Sequence, residues 1–166
     1  MKELYKFFKR SEYWPTLAIL NPYYWAGNEH NLFSVWLFSY ANRSDLTQRF
    51  SRMVLDTQYG TDGNGLPGND DYATMSAWLL FASLGFYPLP STNTYILGSP
   101  TIKSASIMRR DEKGKLKPFH MRVNGNNLDH YEVESVNVNG KQIKDFLDYR
   151  DLDAPNSQLS FSMKRL

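Results

Sequence analysis

The chain has 166 residues, a formal net charge of +2, and 42% hydrophobic against 22% charged residues, enough for one core-bearing domain or two small ones. It has no cysteine, which excludes disulfides and thiolate metal sites, and no apolar run near the about 18 residues of a membrane span. Its two basic concentrations, Lys2, Lys6, Lys9, Arg10 and Arg109, Arg110, Lys113, Lys115, Lys117, include or adjoin acids and read as solvated surfaces, not nucleic-acid grooves.

The N-terminus is too charged for the apolar region of a signal peptide and reads as the start of an interior segment. The compartment, secreted or cytoplasmic, stays open. Leu32 to Tyr40 is strongly apolar, with Leu32, Phe33, Val35, Trp36, Leu37 and Phe38 around polar Ser34 and Ser39. Ser44-Asp45 followed by Gln48 approximates a capping box. Behind it Leu46, Phe50, Met53 and Val54 mark one buried helical face. Residues 60–68 hold four glycines and one proline and form a turn-rich loop. The next helix is predicted over about 71–84, stopped by Gly85 and Pro88. Two apolar helices flanking an amphipathic one suit a helical bundle or toroid.

After Pro90 the period switches to two. Tyr95 to Leu97, Ile102 to Met108, the alternating Lys117, Phe119, Met121, Val123, then Val133 to Val138, and finally Leu159, Phe161, Met163 read as strands. Asn139-Gly140 is a strong hairpin signal before Lys141 to Ile143. The fold class expected is therefore α+β, helices at 1–88 and a small antiparallel β unit, sandwich-like, at 89–166. The β unit carries no cluster of catalytic residue types and reads as structural.

The chemistry has to lie between Tyr24 and Trp78. One spot is Ala26-Gly-Asn28-Glu29-His30-Asn31, just before an apolar helix. The other is Asn69-Asp70-Asp71. Each also has a structural reading. Asn31 can cap the helix that follows, Asp70 can cap the one at Asp71, and the second acid can offset the helix dipole. His30 reads as a surface or hydrogen-bonded histidine. Spacing leaves these readings open against the functional one.

Other chemistries fall away. The glycine loop lacks the Lys-Ser/Thr of a phosphate-binding loop. Asp62-Gly-Asn64-Gly-Leu66 starts like an EF-hand but fails at Leu66 and at Ala73, where the bidentate Glu belongs. There is no Gly-x-Ser-x-Gly elbow, and three histidines give a triad or a zinc site little support. Carboxylate chemistry remains. An inverting glycosidase needs an acid for the leaving oxygen and a base, roughly 6.5–9.5 Å from it, that activates water. Asp71, beside Asp70, can supply the base. Adjacent acids repel, so hydrogen bonds or a hard cation such as calcium must offset them, with Glu29 a candidate ligand.

The string Gly65-Leu-Pro-Gly-Asn69-Asp70-Asp71-Tyr-Ala-Thr-Met-Ser-Ala-Trp78, together with Ala26-Gly-Asn28-Glu29, Leu32, Trp36-Leu-Phe38, Tyr40, Asp45-Leu-Thr-Gln48 and Arg52, resembles glycoside hydrolase family 92, the calcium-dependent exo-α-mannosidases. Tyr95-Ile-Leu-Gly-Ser-Pro100 and Val138-Asn-Gly140 look like that family's C-terminal β region. The resemblance covers about Tyr24 to Met163. It implies that these helices are the last of an (α/α)6 toroid and that the substrates are α-mannoside glycans. It implies Asp71 as catalytic base, assisted by Asp70 or Asn69. Asn28 and Glu29 inherit a calcium or substrate role, and Asn69 a substrate role.

The sequence departs from the family pattern at Ala73, where members often carry Gly, and at His30, where Pro often follows Asn-Glu. Some members have Asp at the position of Asn69. These differences bear on acceptor and linkage preference. Family members look like much longer chains, and their general acid is a Glu upstream of anything present. Glu3 and Glu12 sit in no matching motif. The expectation is a C-terminal part of such an enzyme, inactive alone and completed by the rest of the catalytic domain. The alternatives are a non-catalytic carbohydrate-binding or relic fragment, or a relative that processes glycoproteins at another bond.

Overall fold

The computed structural model describes residues 1–12, 22–111, 113–125 and 130–164. The first half is helical. α1 (Lys2–Ser11) turns Phe8 inward, and its lysines meet acids, as in the Lys6–Glu3 pair at 2.8 Å. The apolar stretch 32–40 is not one helix. It is broken into 3-10 turns at Glu29–Asn31 and Ser34–Trp36 and a single turn, α2 (Leu37–Tyr40). α3 (Ser44–Gln58) buries Leu46, Phe50, Val54 and Leu55, and α4 (Thr74–Leu84) is apolar around most of its circumference. Their core is largely aromatic: Phe8 stacks on Tyr24 at 4.4 Å and on Phe50 at 5.1 Å between centroids.

The capping box expected at Asp45 and Gln48 does not form. Asp45 is held by both ends of the Arg43 guanidinium at 2.8 and 2.7 Å. The Gln48 Oε1 instead accepts from the Val133 amide at 3.0 Å, tying α3 to the β half. Arg52, buried on the same helix, reaches the carbonyls of Pro100 and His130 and strengthens that tie.

Two sheets follow. β1 (Phe86–Pro88), β2 (Thr94–Leu97) and β7 (Phe146–Asp148) form one, in the order β1-β2-β7. β1 and β7 are too short to stand out as runs in the sequence. The second sheet contains β3 (Ser104–Arg110), β4 (Leu116–Asn124), β5 (Val133–Val138), β6 (Lys141–Ile143) and β8 (Ser157–Met163), in the order β3-β4-β8-β5-β6. The expectation of an antiparallel unit needs one correction. β8 lies parallel to β4, because the chain passes through β5 to β7 before returning between β4 and β5. Asn139 and Gly140 turn the β5–β6 hairpin with φ of 49° and 83°, the doubly positive pair of a tight hairpin.

The small sheet joins the two halves. Adjacent residues of a strand point to opposite faces. Ile96 accordingly enters the helical core while Leu97 enters the core of the large sheet, with Leu84, Phe86, Phe119 and Leu159. Residues 86–88 pair antiparallel with 95–97, Pro88 being the last paired residue of β1. Gly85, at φ 78°, ends α4 in the left-handed conformation, where a Cβ would lie 2.7 Å from Pro100.

Candidate functional site

The two polar spots, some forty positions apart, are brought side by side by backbone packed on backbone. A Cβ on Gly27 would lie 2.5 Å from the Pro67 carbonyl oxygen and collide with the Trp25 ring; one on Gly68 would lie 3.0 Å from the Gly27 oxygen. Glycine at both positions lets the 26–31 segment and the 65–71 segment touch, with Asn28 and Glu29 following the first contact and Asn69 to Asp71 the second. The Ala26 amide is fixed by Gln58 Oε1 at 2.7 Å, at the end of α3. The Trp78 indole of α4 donates to the Leu32 carbonyl at 3.0 Å. Tyr59 lies flat on Trp78 with ring centroids 5.4 Å apart and donates to the Met75 carbonyl. Burial, then the neighbouring Tyr87 and the charge of Asp70, hold the Tyr59 phenol well above its usual range.

The entrance to α4 differs from the helix predicted to begin at 71. Asp71, Tyr72 and Ala73 are in succession left-handed, with φ of 48°, 56° and 67°, and the α-helix starts only at Thr74. Three non-glycine residues in that region store strain, on the order of 1 kcal/mol or more each, which surrounding contacts must hold. The holding contacts are present. Asp70 accepts from the Ser76 amide and from the Ser76 hydroxyl, both at 2.9 Å, and its carbonyl accepts from the Met75 amide. The Asp71 carbonyl accepts from the amide and hydroxyl of Thr74, the latter at 2.6 Å.

The two acids therefore have different parts. Asp70 is half-buried and does the work of a helix cap from outside the helix, as its structural reading expected. Asp71 is exposed, and among the described residues no hydrogen bond reaches its carboxylate. Asn69, Asn28 and Glu29 are also exposed; Asn28 Oδ1 lies 3.2 Å from His30 Nδ1. Asn31 heads no helix with its side chain, since it closes the turn Glu29–Asn31. The Asp62 loop closes locally, its carboxylate accepting from the Asn64 amide.

Asn28 and Glu29 offer an amide oxygen and a carboxylate, the hard donors calcium takes, but calcium binds six to eight oxygens. Among the described residues no group of three or more histidines and acids is placed to hold a metal ion. These two residues thus fit a partial shell and need donors from elsewhere. Ser76, Gln58 and Tyr59 were missed in the sequence. Ser76 could not be read as the partner of Asp70, because a spacing of six matches no helical register and follows from the left-handed turn.

Residues 1–165 match the family model of the glycosyl hydrolase family 92 catalytic domain. An α-mannosidase of family GH92 from Bacteroides thetaiotaomicron is 32% identical, with a TM-score of 0.80 over 98% of this chain and 21% of that one. Its complex with mannoimidazole aligns at 34% identity and a TM-score of 0.75, over 87% of this chain and 19% of that one. The family GH92 inverting mannosidase from the same bacterium is 27% identical, with a TM-score of 0.71 over 84% of this chain and 19% of that one. A protein of Arthroderma benhamiae, named as an uncharacterized secreted glycosidase, is 26% identical over 137 residues, 82% of this chain and 17% of that protein. The chain thus spans about a fifth of the length of these relatives. With a match over nearly every residue and a mixed α+β fold shared with solved members, the chain belongs to glycosyl hydrolase family 92.

Proposed function

We propose that this chain forms part of an inverting, calcium-dependent exo-α-mannosidase acting on terminal α-mannose of N-glycans or mannoproteins, and that Asp71 is its general base. The observation that carries the reading is the division of labour between adjacent acids. Asp70 is tied down by Ser76, and Asp71 is presented to solvent by a strained turn beside the Gly27–Gly68 contact. A base for an inverting hydrolysis must reach water, and Asp71 can. It takes a proton from that water while the water oxygen bonds to the anomeric carbon. The bond from that carbon to the glycosidic oxygen breaks, and an acid from outside this chain protonates the leaving oxygen.

Asp70 holds the turn and keeps Asp71 in place. Asn28, Glu29 and Asn69 bind the sugar's hydroxyls, and Asn28 and Glu29 contribute to the calcium shell. Calcium, when bound, supplies positive charge beside the carboxylates and ligand positions for sugar oxygens. Residues 1–88 are the closing helices of an (α/α)6 toroid and residues 89–166 its C-terminal β unit. The rest of the catalytic domain is the partner that completes the site.

The test is release of mannose from a terminal α-mannoside. The 166-residue chain alone is expected to release none, because one of the two carboxylates is missing. Joined to the coding sequence that precedes it in frame, it is expected to turn over, and Asp71→Asn to lower kcat by about 100-fold or more. Calcium-dependent turnover by the chain alone, or full activity of Asp71→Asn, overturns the reading.

A further inference from the structure

Tyr72 is the residue of this region that the hydrolytic scheme leaves without a part. It sits between Asp71 and Ala73 in the left-handed turn, at φ 56°, and is 107% exposed, more than any other large hydrophobic side chain described. An aromatic ring that these residues leave wholly exposed adds no burial to their own packing, and its backbone conformation is one that bulky residues avoid. The strain is nevertheless over-determined by the Asp70–Ser76 and Asp71–Thr74 hydrogen bonds. A turn held this firmly fixes where the Tyr72 ring leaves the backbone, about 3.8 Å from the Cα of Asp71.

We propose that Tyr72 is the sugar-stacking residue of this site, its ring receiving the apolar C–H face of the α-mannoside whose anomeric carbon is attacked by water from Asp71. The proposal rests on Asp71 being the base of an α-mannoside hydrolase. Tyr suits the task for three reasons. Its ring is flat and has only two side-chain torsions to freeze. It offers dispersion contact and release of water from an otherwise solvated face. Its hydroxyl can meet a sugar hydroxyl at the ring's far end. Asn69 and Asp71, exposed on either side of the Asp70 anchor, are the polar groups beside it. The bare alternative is a surface tyrosine that touches nothing, and its consequences differ.

The experiment titrates the chain, joined to the coding sequence that precedes it in frame and with its tyrosines selectively labelled, with methyl α-D-mannopyranoside, followed by NMR. In the unmutated chain the Tyr72 ring protons are expected to shift and to give contacts to the sugar's C–H protons. Tyr72→Ala is expected to weaken binding about tenfold, the worth of one aromatic contact. Tyr72→Phe, which keeps the ring, is expected to stay within about twofold. Because the ring is unburied, circular dichroism and the unfolding midpoint of Tyr72→Ala should match the parent. The ring-to-sugar contacts are read in the parent whatever the variant does. No binding by the parent, contacts that skip Tyr72, or a Tyr72→Ala affinity within twofold of the parent overturns the proposal. Failure of the underlying reading has another signature: an Asp71→Asn enzyme that still releases mannose, with the Tyr72 contacts intact.

Discussion

Gly27 shows how much depends on a missing side chain. Its contact with Pro67 and Gly68 is what brings the segment leading into Asn28 and Glu29 against the segment leading into Asn69 to Asp71. Gly27→Ala puts a methyl against a carbonyl oxygen and an indole, and backbone cannot yield as a flexible side chain would. We expect a loss of about 1–3 kcal/mol in denaturant unfolding; an unchanged midpoint would show that the two segments are not locked there. The Asp70–Ser76 clamp makes a second claim. Asp70→Ala removes the acceptor for two hydrogen bonds at the start of α4 and should cost about 0.5–2 kcal/mol by the same measurement. At this scale the sequence was partly legible. The adjacent acids and the glycine spacing stood out, because residue type restricts chemistry. The left-handed run at 71–73 did not, since three non-glycine residues adopt it only under tertiary tethers that no local pattern records.

α4 carries the argument at the level of elements. Ala77 and Leu80 face solvent, Leu80 58% exposed, on a helix that has apolar residues on almost every side. Next to it runs an open groove of about 420 Å³ lined by Leu80, Phe81, Phe86, Tyr95, Ile107 and Phe119. A helix apolar all round belongs in an interior, and an uncovered one promotes association. Leu80→Lys should leave the unfolding free energy within about 0.5 kcal/mol and reduce self-association of the isolated chain, seen by light scattering. Equal scattering from both proteins would remove this face as the cause. Strands with strict alternation and the Asn139-Gly140 hairpin were legible, because their signals are local. The capping box was not real because Arg43 and Val133, one adjacent and one far away, compete for the same side chains.

For the whole molecule, buried phenols set the response to alkali. Tyr24, Tyr59, Tyr87 and Tyr95 are all held above the ordinary phenol range, in each case chiefly by burial. The folded state thus keeps protons that the unfolded chain gives up near pH 10, so this contribution is fully present below pH 10 and is lost as pH rises beyond it. One phenol wholly protected, as Tyr24 is, steepens the fall by about 1.4 kcal/mol per pH unit. Guanidinium unfolding at pH 8, 10 and 11 checks it, and a flat profile would contradict the burial. What no sequence pattern disclosed is the order of the large sheet, because β8 shows the same alternation whether it pairs at an edge or in the middle. Its position between β4 and β5 has a consequence for synthesis. A ribosome making this protein releases four strands of the sheet before the one that joins them. Until residue 163 clears the exit tunnel, β4 and β5 each offer an unpaired backbone edge to any passing strand. The nascent chain is thus adhesive from the emergence of β5 until β8 arrives, the interval in which a chaperone matters most.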